Sequence, residues 1–206
     1  MAGQCFEKHW LALIQMPREK MDFKSLYSTE TGKMLHTLVQ NTLYNLNATV
    51  LQNIPLYVPE YNIKGEADVA IIDPHRNNVI HLIDIKTMRN YPWSKRFGKK
   101  DNRDAHADDG YELQVGTYHL GLQRLFPEKE IKDYLLYLRK ESGSLRIRQL
   151  NIDYNLVHEY WIELGKYIEK RKEGKIRPII GTFPTPYMEW ECRVCPYKGI
   201  CLATKN

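Results

Sequence analysis

Residues 65–86 read GEADVAIIDPHRNNVIHLIDIK and contain two strand-like runs separated by a turn. The outer runs, 65–72 and 79–86, are rich in β-branched and apolar residues, which favours strands. The intervening DPHRNN contains the Asp, Pro and Asn residues that are typical of turns. The sequence therefore predicts a β-hairpin that brings Asp68 back towards Asp84.

Two carboxylates and a lysine meet in this hairpin. Asp84 and Lys86 are two residues apart on a strand, so they project from the same face, about 6–7 Å apart. Together with Asp68 they form the kind of site that holds a hard divalent cation beside a phosphodiester. By the same alternation, Glu66 and His81 are predicted to lie off this face, in structural or solvent-facing positions.

The hairpin resembles the catalytic region of the PD-(D/E)xK nuclease superfamily, and its RecB-like branch in particular. The motifs of that branch fit this chain in the family order: Gly32-x-x-x-His36, Gly65-x-x-Asp68, Asp84-x-Lys86 and Gln114-x-x-x-Tyr118. Each motif alone is weak, but their order on helix, strand, strand and helix is a strong signal. The resemblance implies an α/β fold with a PD-(D/E)xK restriction-endonuclease-like core, in which helices flank a mixed central sheet.

The resemblance also implies a set of site residues and a reaction that leaves a 5′-phosphate. The implied metal ligands, for Mg²⁺ or Mn²⁺, are His36, Asp68, Asp84 and the carbonyl of Ile85. The implied catalytic residues are Asp68, Asp84, Lys86, Gln114 and Tyr118. Nearby carboxylates favour the protonated form of Lys86 and raise its pKa, so we expect it to orient water and stabilise charge. Gln114 and Tyr118 share a helix face and are interpreted as contacts to a phosphate or a base.

Four cysteines form a second signal, with one near the start of the sequence and three near its end. The spacing of Cys192, Cys195 and Cys201 brings three thiolates within reach of one metal centre, and Cys5 is the remaining candidate ligand. Such ligation would clip the two ends together. The pattern resembles the iron–sulfur RecB-like nucleases, including Cas4-like CRISPR-adaptation nucleases, AddB-type helicase nuclease domains and viral relatives. It implies a structural [4Fe–4S] cluster; zinc is the main alternative, and two disulfides are disfavoured without a secretory signal.

The segment 91–103 lies between the Lys86 strand and the Gln114 helix and interleaves aromatic with basic residues. Aromatic rings can stack on bases while Lys and Arg neutralise phosphates, as in proteins that bind single strands. A solvated loop is the alternative interpretation. The predicted DNA-binding residues are Trp93, Lys95, Arg96, Lys99, Lys100 and Arg103.

The remaining pattern predicts one nuclease domain over residues 1–206, with a core at 25–151 and iron–sulfur elements at residue 5 and 178–206. Residues 88–109 are expected to be polar and irregular. Apolar spacing predicts helices near 25–46, 109–125 and 153–173 and strands near 54–58, 63–72, 79–86, 132–139 and 144–151.

Composition agrees with an intracellular enzyme that binds a polyanion. The chain has 206 residues, 43% of them hydrophobic, and a net charge of +5. No apolar run approaches the roughly 20 residues of a membrane span, and no nucleotide-binding Gly-x-x-x-x-Gly-Lys loop is present, so a helicase activity would come from a partner.

The function expected from the sequence is a metal-dependent deoxyribonuclease acting on single-stranded DNA or DNA ends, as an exonuclease and also as an endonuclease if ends are not required. One alternative is a CRISPR-adaptation-type end-trimming nuclease that is active in a complex. Others are a DNA-binding module with a vestigial site and a zinc-stapled scaffold. The expected partners are DNA, a second copy of the chain, or a helicase, recombination or CRISPR-adaptation protein.

Overall fold

The computed structural model of the chain describes residues 3–98, 108–174, 192 and 194–203. Its helices are α1 (Phe6–Leu13), α2 (Phe23–Tyr44), α3 (Asn90–Phe97), α4 (Asp109–Leu125), α5 (Tyr154–Lys172) and α6 (Lys198–Ala203). Its strands are β1 (Thr49–Val58), β2 (Ile63–Ile72), β3 (Val79–Met88), β4 (Glu130–Arg139) and β5 (Leu145–Gln149). A 3-10 turn at Pro59–Tyr61 joins β1 to β2.

The five strands form one mixed sheet in the order β1-β2-β3-β4-β5. β3 and β4 are parallel, and the other neighbours are antiparallel. The parallel pair needs a crossover, which α3 and α4 supply. The antiparallel pairing of β2 with β3, from Val69–Ile83 to Ile72–Ile80, confirms the predicted hairpin. The mixed sheet with flanking helices confirms the predicted α/β class.

Helices cover both faces of this sheet. On one face, Val39 of α2 packs with Ile85 of β3 and its neighbours. On the other face, Val115 and Leu122 of α4 pack against the largest apolar cluster. α5 covers the outer side of α4 through residues that include Trp161, and α1 contacts α5. The centre of β3 is therefore enclosed between α2 and α4, the two helices that carry the predicted site motifs.

Helices α2 and α5 each begin with an aspartate N-cap. The carboxylate of Asp22 accepts a hydrogen bond from the amide of Ser25 at 2.6 Å, at the start of α2. Asp153 accepts from the amide of Asn155 at 2.9 Å, at the start of α5. Each cap satisfies an amide that has no partner within its helix. In α2 this anchors the helix that carries His36.

The segment 88–109 differs from the sequence prediction. It was expected to be polar and irregular, but β3 runs to Met88 and α3 occupies Asn90–Phe97. Pro92 lies in the first turn of α3, where its missing N–H costs no helical hydrogen bond. Trp93 and Phe97 are four residues apart and pack together, with ring centroids 4.7 Å apart. The helix forms because this pair buries its apolar side in the core. α1 was also not predicted.

Candidate active site

The hairpin places two aspartates side by side on neighbouring strands. The pairing of β2 with β3 ends at Val69–Ile83, so the next residues, Asp68 and Asp84, lie opposite each other. Oδ2 of Asp68 accepts a hydrogen bond from the amide of Ile85 at 2.7 Å. This bond ties the Asp68 carboxylate to the strand that carries Asp84.

Asp84 is buried beside a cation. Asp84 is 1% exposed, and its Oδ2 lies 2.6 Å from Nζ of Lys86. No hydrogen bond of normal geometry reaches this oxygen, so its contact is the ion pair. Burial raises the pKa of Asp84 to about 6; Lys86 opposes this shift, and the charge of Asp68 adds to it. A buried carboxylate oxygen of this kind is suited to accept a further cation.

The Lys86 ammonium is surrounded on several sides. Its Nζ donates to Oε1 of Gln114 at 3.0 Å and lies 4.7 Å above the ring centroid of Tyr111. Burial by itself would lower the pKa of Lys86, but the Asp84 carboxylate outweighs it and the pKa is raised. Lys86 is therefore held in its protonated form, as the sequence interpretation expected. Sequence reasoning missed Tyr111, although it lies on α4 one turn before Gln114.

The side chains of Gln114 and Tyr118 are hydrogen-bonded to each other. Nε2 of Gln114 donates to the Tyr118 hydroxyl at 2.8 Å, which directs the Gln114 carbonyl oxygen at Lys86. A Cβ on Gly65 would lie 2.9 Å from Cε1 of Tyr118, so this strand position needs a glycine. The pair thus orients Lys86, while a contact to phosphate or base stays a prediction.

His36 reaches the site from α2. Its Nδ1 lies 3.6 Å from Oδ2 of Asp68. Both residues line a cleft of about 480 Å³ between α2 and the sheet. Glu66 also lines this cleft, so the prediction that it lies off the site was wrong. Glu66 and Asp68 are two residues apart on β2 and therefore share a face.

The backbone at Asp68 is fixed by the amide side chain of Gln40, which sequence reasoning missed. Gln40, on α2 one turn after His36, donates from Nε2 to the carbonyl of Asp68 at 3.0 Å and to Oδ1 of Asn53 at 2.9 Å. Asn53 lies opposite Asp68 on β1 with a φ of 49°, a left-handed conformation that asparagine tolerates. Gln52 in turn donates to the carbonyl of Gln40 at 2.7 Å. The periodic spacing of Gln40 after His36 is the signal that marks it as a neighbour of the site.

The predicted DNA-binding segment is only partly available to a ligand. Trp93 is 9% exposed and lies in the core, which corrects the expectation that its ring stacks on a base. Arg96 pairs with Asp108 and lies 5.2 Å from the ring centroid of Tyr111, so it is engaged within the protein. Lys95 is exposed. The remaining predicted residues, Lys99, Lys100 and Arg103, lie outside the described residues.

The four cysteines are all reduced in the structure and half-buried. Burial raises the pKa of Cys201 to about 11, and the charges of Glu7, Cys5, Cys195 and Cys192 act in the same direction. Hydrogen bonds link the two ends of the chain: the amide of Glu19 donates to the carbonyl of Pro196 at 2.8 Å, and Gly199 donates to Oε1 of Glu19 at 2.6 Å.

Neither the active-site residues nor the four cysteines form a complete metal site in the described part of the chain. Among the described residues, no group of three or more His, Cys, Asp and Glu side chains is already arranged around a position for a metal ion. Across the same residues, no helix is long and apolar enough to span a bilayer.

Comparisons with known proteins agree with this architecture. The family model of the PD-(D/E)XK nuclease superfamily matches residues 15–202. Among solved structures, the chain is similar to SSO0001, with 18% identity and a TM-score of 0.57, over 98% of this chain and 83% of that one. It is also similar to the "Putative exonuclease" from Eubacterium rectale, with 19% identity and a TM-score of 0.38, over 62% of this chain and 47% of that one. No curated protein matches the sequence. The match to the family model covers most of the chain, which therefore belongs to the PD-(D/E)XK nuclease superfamily.

Proposed function

We propose that this chain is a metal-dependent deoxyribonuclease that hydrolyses phosphodiester bonds in single-stranded DNA or at DNA ends. The observation that carries the proposal is the buried ion pair of Asp84 with Lys86, next to Asp68. A buried carboxylate with a raised pKa beside a lysine kept protonated is more typical of a reaction site than of a structural pair. Membership of a nuclease superfamily supports the same reaction class.

The residues of the site fit a divalent metal ion. Two carboxylates and one imidazole, from Asp68, Asp84 and His36, are donors that suit Mg²⁺ or Mn²⁺, and the Ile85 carbonyl is the proposed fourth. The buried Asp84 oxygen that accepts no hydrogen bond is the observation that supports the fit. When bound, the metal supplies Lewis-acid chemistry, namely an acidified water and a polarised phosphate.

The chain's own residues supply orientation and positive charge. Lys86 is protonated and fixed by Asp84, Gln114 and Tyr111, so its remaining N–H can meet charge that develops on a phosphate oxygen. This fixed ammonium is better suited to stabilise charge than to accept a proton. Tyr118 acts at one remove, because it holds the Gln114 amide that orients Lys86.

The choice of DNA rests on the resemblance to RecB-like nucleases and on the net charge of +5. We propose Lys95, Lys99, Lys100 and Arg103 as phosphate contacts in addition to the site itself. A trimming role within a CRISPR-adaptation or helicase complex, in a prokaryotic or viral setting, is the narrower form of this proposal.

The second part of the proposal is a structural [4Fe–4S] cluster held by Cys5, Cys192, Cys195 and Cys201. The electrostatic effect of three of these thiols on Cys201 supports it, as do the bonds that join the two ends of the chain. In this scheme residues 25–151 are the nuclease core of a single domain, and residue 5 with 178–206 are the cluster elements.

The proposal is tested by a cleavage assay on three DNA forms: a labelled single strand, a linear duplex and a covalently closed circle. Each is incubated with Mg²⁺, Mn²⁺ or EDTA. We expect metal-dependent shortening of the single strand or the linear duplex and no cleavage in EDTA. If cleavage of every substrate is absent in both metals, or persists unchanged in EDTA, a metal-dependent deoxyribonuclease is ruled out.

A further inference from the structure

One lysine of the active-site cleft has no assigned role. Lys140 follows the end of β4 and lines the cleft together with His36 and Asp68. Its backbone is fixed by the bond from its amide to the carbonyl of Met88 at 2.9 Å. Its Nζ donates to the carbonyl of Ser28 on α2 at 2.7 Å. The ammonium therefore bridges the helix and the sheet at the cleft wall.

This ammonium forms no salt bridge within the described residues, although the charge of Glu141 acts on it. In the part of the chain that the structure describes, no carboxylate lies within salt-bridge distance of Lys140. The nearest acid in sequence, Glu141, instead accepts a hydrogen bond from the amide of Asn90 at 3.1 Å. An ammonium has three N–H donors, and a single carbonyl uses one of them. Partial burial lowers the pKa of Lys140, the positive charge of Arg89 adds to this effect and the charge of Glu141 opposes it. An ammonium with unused donors at the wall of the cleft is suited to bind an anion.

The neighbouring helix is shaped to leave room for this group. A Cβ on Gly32 would lie 3.4 Å from Nζ of Lys140 and 3.2 Å from Oγ1 of Thr87. Gly32 is four residues before His36, which is about 6 Å along a helix. The lysine and the Thr87 hydroxyl therefore lie about one helical turn from the proposed metal ligands, in the same cleft.

We propose that Lys140, with the hydroxyl of Thr87, is a phosphate-binding subsite for the nucleic-acid strand, one phosphate away from the bond that is cut. This inference rests on the proposed function. It assigns to Gly32 the role of keeping the wall open for that phosphate. The subsite lies outside the carboxylates and Lys86, so it binds the strand and takes no part in the chemical step.

The first test measures binding of a labelled single-stranded oligonucleotide by fluorescence anisotropy, in the Asp84→Asn background with Mg²⁺ so that the strand stays intact. Lys140→Ala is compared with Lys140→Arg and with Lys166→Ala, a lysine on α5 that pairs with Glu163 at 2.6 Å. We expect Lys140→Ala to weaken binding about three- to tenfold at low salt. It should also reduce the slope of log Kd against log salt by about 0.7, the value for one phosphate contact on a single strand. Lys140→Arg should keep most of the affinity, and Lys166→Ala should match the parent.

The second test changes the DNA instead of the protein. Single methylphosphonate linkages, which remove one negative charge, are placed at successive positions of the oligonucleotide. One position should weaken binding to the parent protein but not to Lys140→Ala, because the lost contact is the same in both cases. No such position, or a Lys140→Ala isotherm and salt slope that overlay the parent, would overturn the subsite and leave the nuclease proposal standing. If the unsubstituted protein and the Asp84→Asn protein bind neither the single strand nor a linear duplex, the proposed function fails and the subsite fails with it.

Discussion

The ammonium group of Lys86 is held by three different groups in the structure: the Asp84 carboxylate, the Gln114 carbonyl oxygen and the face of the Tyr111 ring. A lysine side chain is flexible in water, and each of these contacts removes some of its freedom. The ring of Tyr111 also faces Arg96, whose guanidinium carbon lies 5.2 Å from the ring centroid. Tyr111 therefore contacts both Lys86 on β3 and Arg96 on α3.

We predict that Tyr111→Leu slows cleavage by about 2- to 30-fold, because a cation over a ring contributes about 0.5–2 kcal/mol. Tyr111→Phe keeps the ring face and should stay close to the parent rate. The measurement is single-turnover cleavage of a labelled single strand at saturating protein. Equal losses in both variants would show that the hydroxyl, and not the ring, supports Lys86.

At this scale the sequence was sufficient for residues whose positions follow from strand or helix periodicity. Asp84 and Lys86 lie on one face of β3, as their spacing of two predicts, whereas Gln114 meets Lys86 because α4 packs on the sheet. The same alternation places Glu66 on the face of Asp68, so the expectation that Glu66 lies off the site was wrong. Tyr111 and Lys140 were not predicted, since their contacts depend on how elements distant in sequence pack.

At the scale of elements, α3 is a helix that the sequence pattern did not predict. Its sequence, NYPWSKRF, contains a proline and four polar or basic residues besides its aromatic residues, which weakens the helical pattern. The one apolar signal is the spacing of Trp93 and Phe97. Phe97 of this pair packs against the ring of Tyr137, and the two ring centroids are 5.1 Å apart. Burial in the core therefore decides the conformation, against the local composition.

We predict that Trp93→Ala lowers the free energy of unfolding by about 3–5 kcal/mol, because a large core side chain is removed. Tyr91→Ala is the matched control, since Tyr91 lies on the same helix and is 74% exposed. Urea unfolding followed by circular dichroism gives both values. An unchanged unfolding midpoint in Trp93→Ala together with weaker binding of single-stranded DNA would restore the stacking role.

At the scale of the whole molecule, hydrogen bonds join the N-terminal part of the chain to α5 and to the C-terminal segment. Glu7 of α1 is buried and accepts hydrogen bonds from the Tyr167 hydroxyl at 2.5 Å and from Arg171 at 3.0 Å, both on α5. Glu19 contacts the C-terminal segment at Gly199. The sequence did not predict these polar contacts, because they depend on how α1 packs on α5, and the meeting of the four cysteines stays a prediction.

We predict that protein purified without oxygen contains iron and absorbs broadly near 400 nm, the range expected for a [4Fe–4S] centre by resemblance to the iron–sulfur nucleases. Cys5→Ser should lower both the iron content and the melting temperature, because it opens the connection between the chain ends. Elemental analysis and a thermal melt on the same preparations check this. Stoichiometric zinc with no iron, or full iron in Cys5→Ser, would contradict the proposed ligand set.

The central claim is that the buried carboxylate of Asp84 belongs to a metal-dependent nuclease centre, and Asp84→Asn tests it most directly. The amide keeps the shape of the side chain and removes its charge. The control is Asp22→Asn, because asparagine also caps a helix well. Single-turnover cleavage of single-stranded DNA in Mn²⁺ should fall by about 10²-fold or more in Asp84→Asn and stay at the parent rate in Asp22→Asn, with both variants folded by circular dichroism. Cleavage by folded Asp84→Asn at the parent rate would contradict the account.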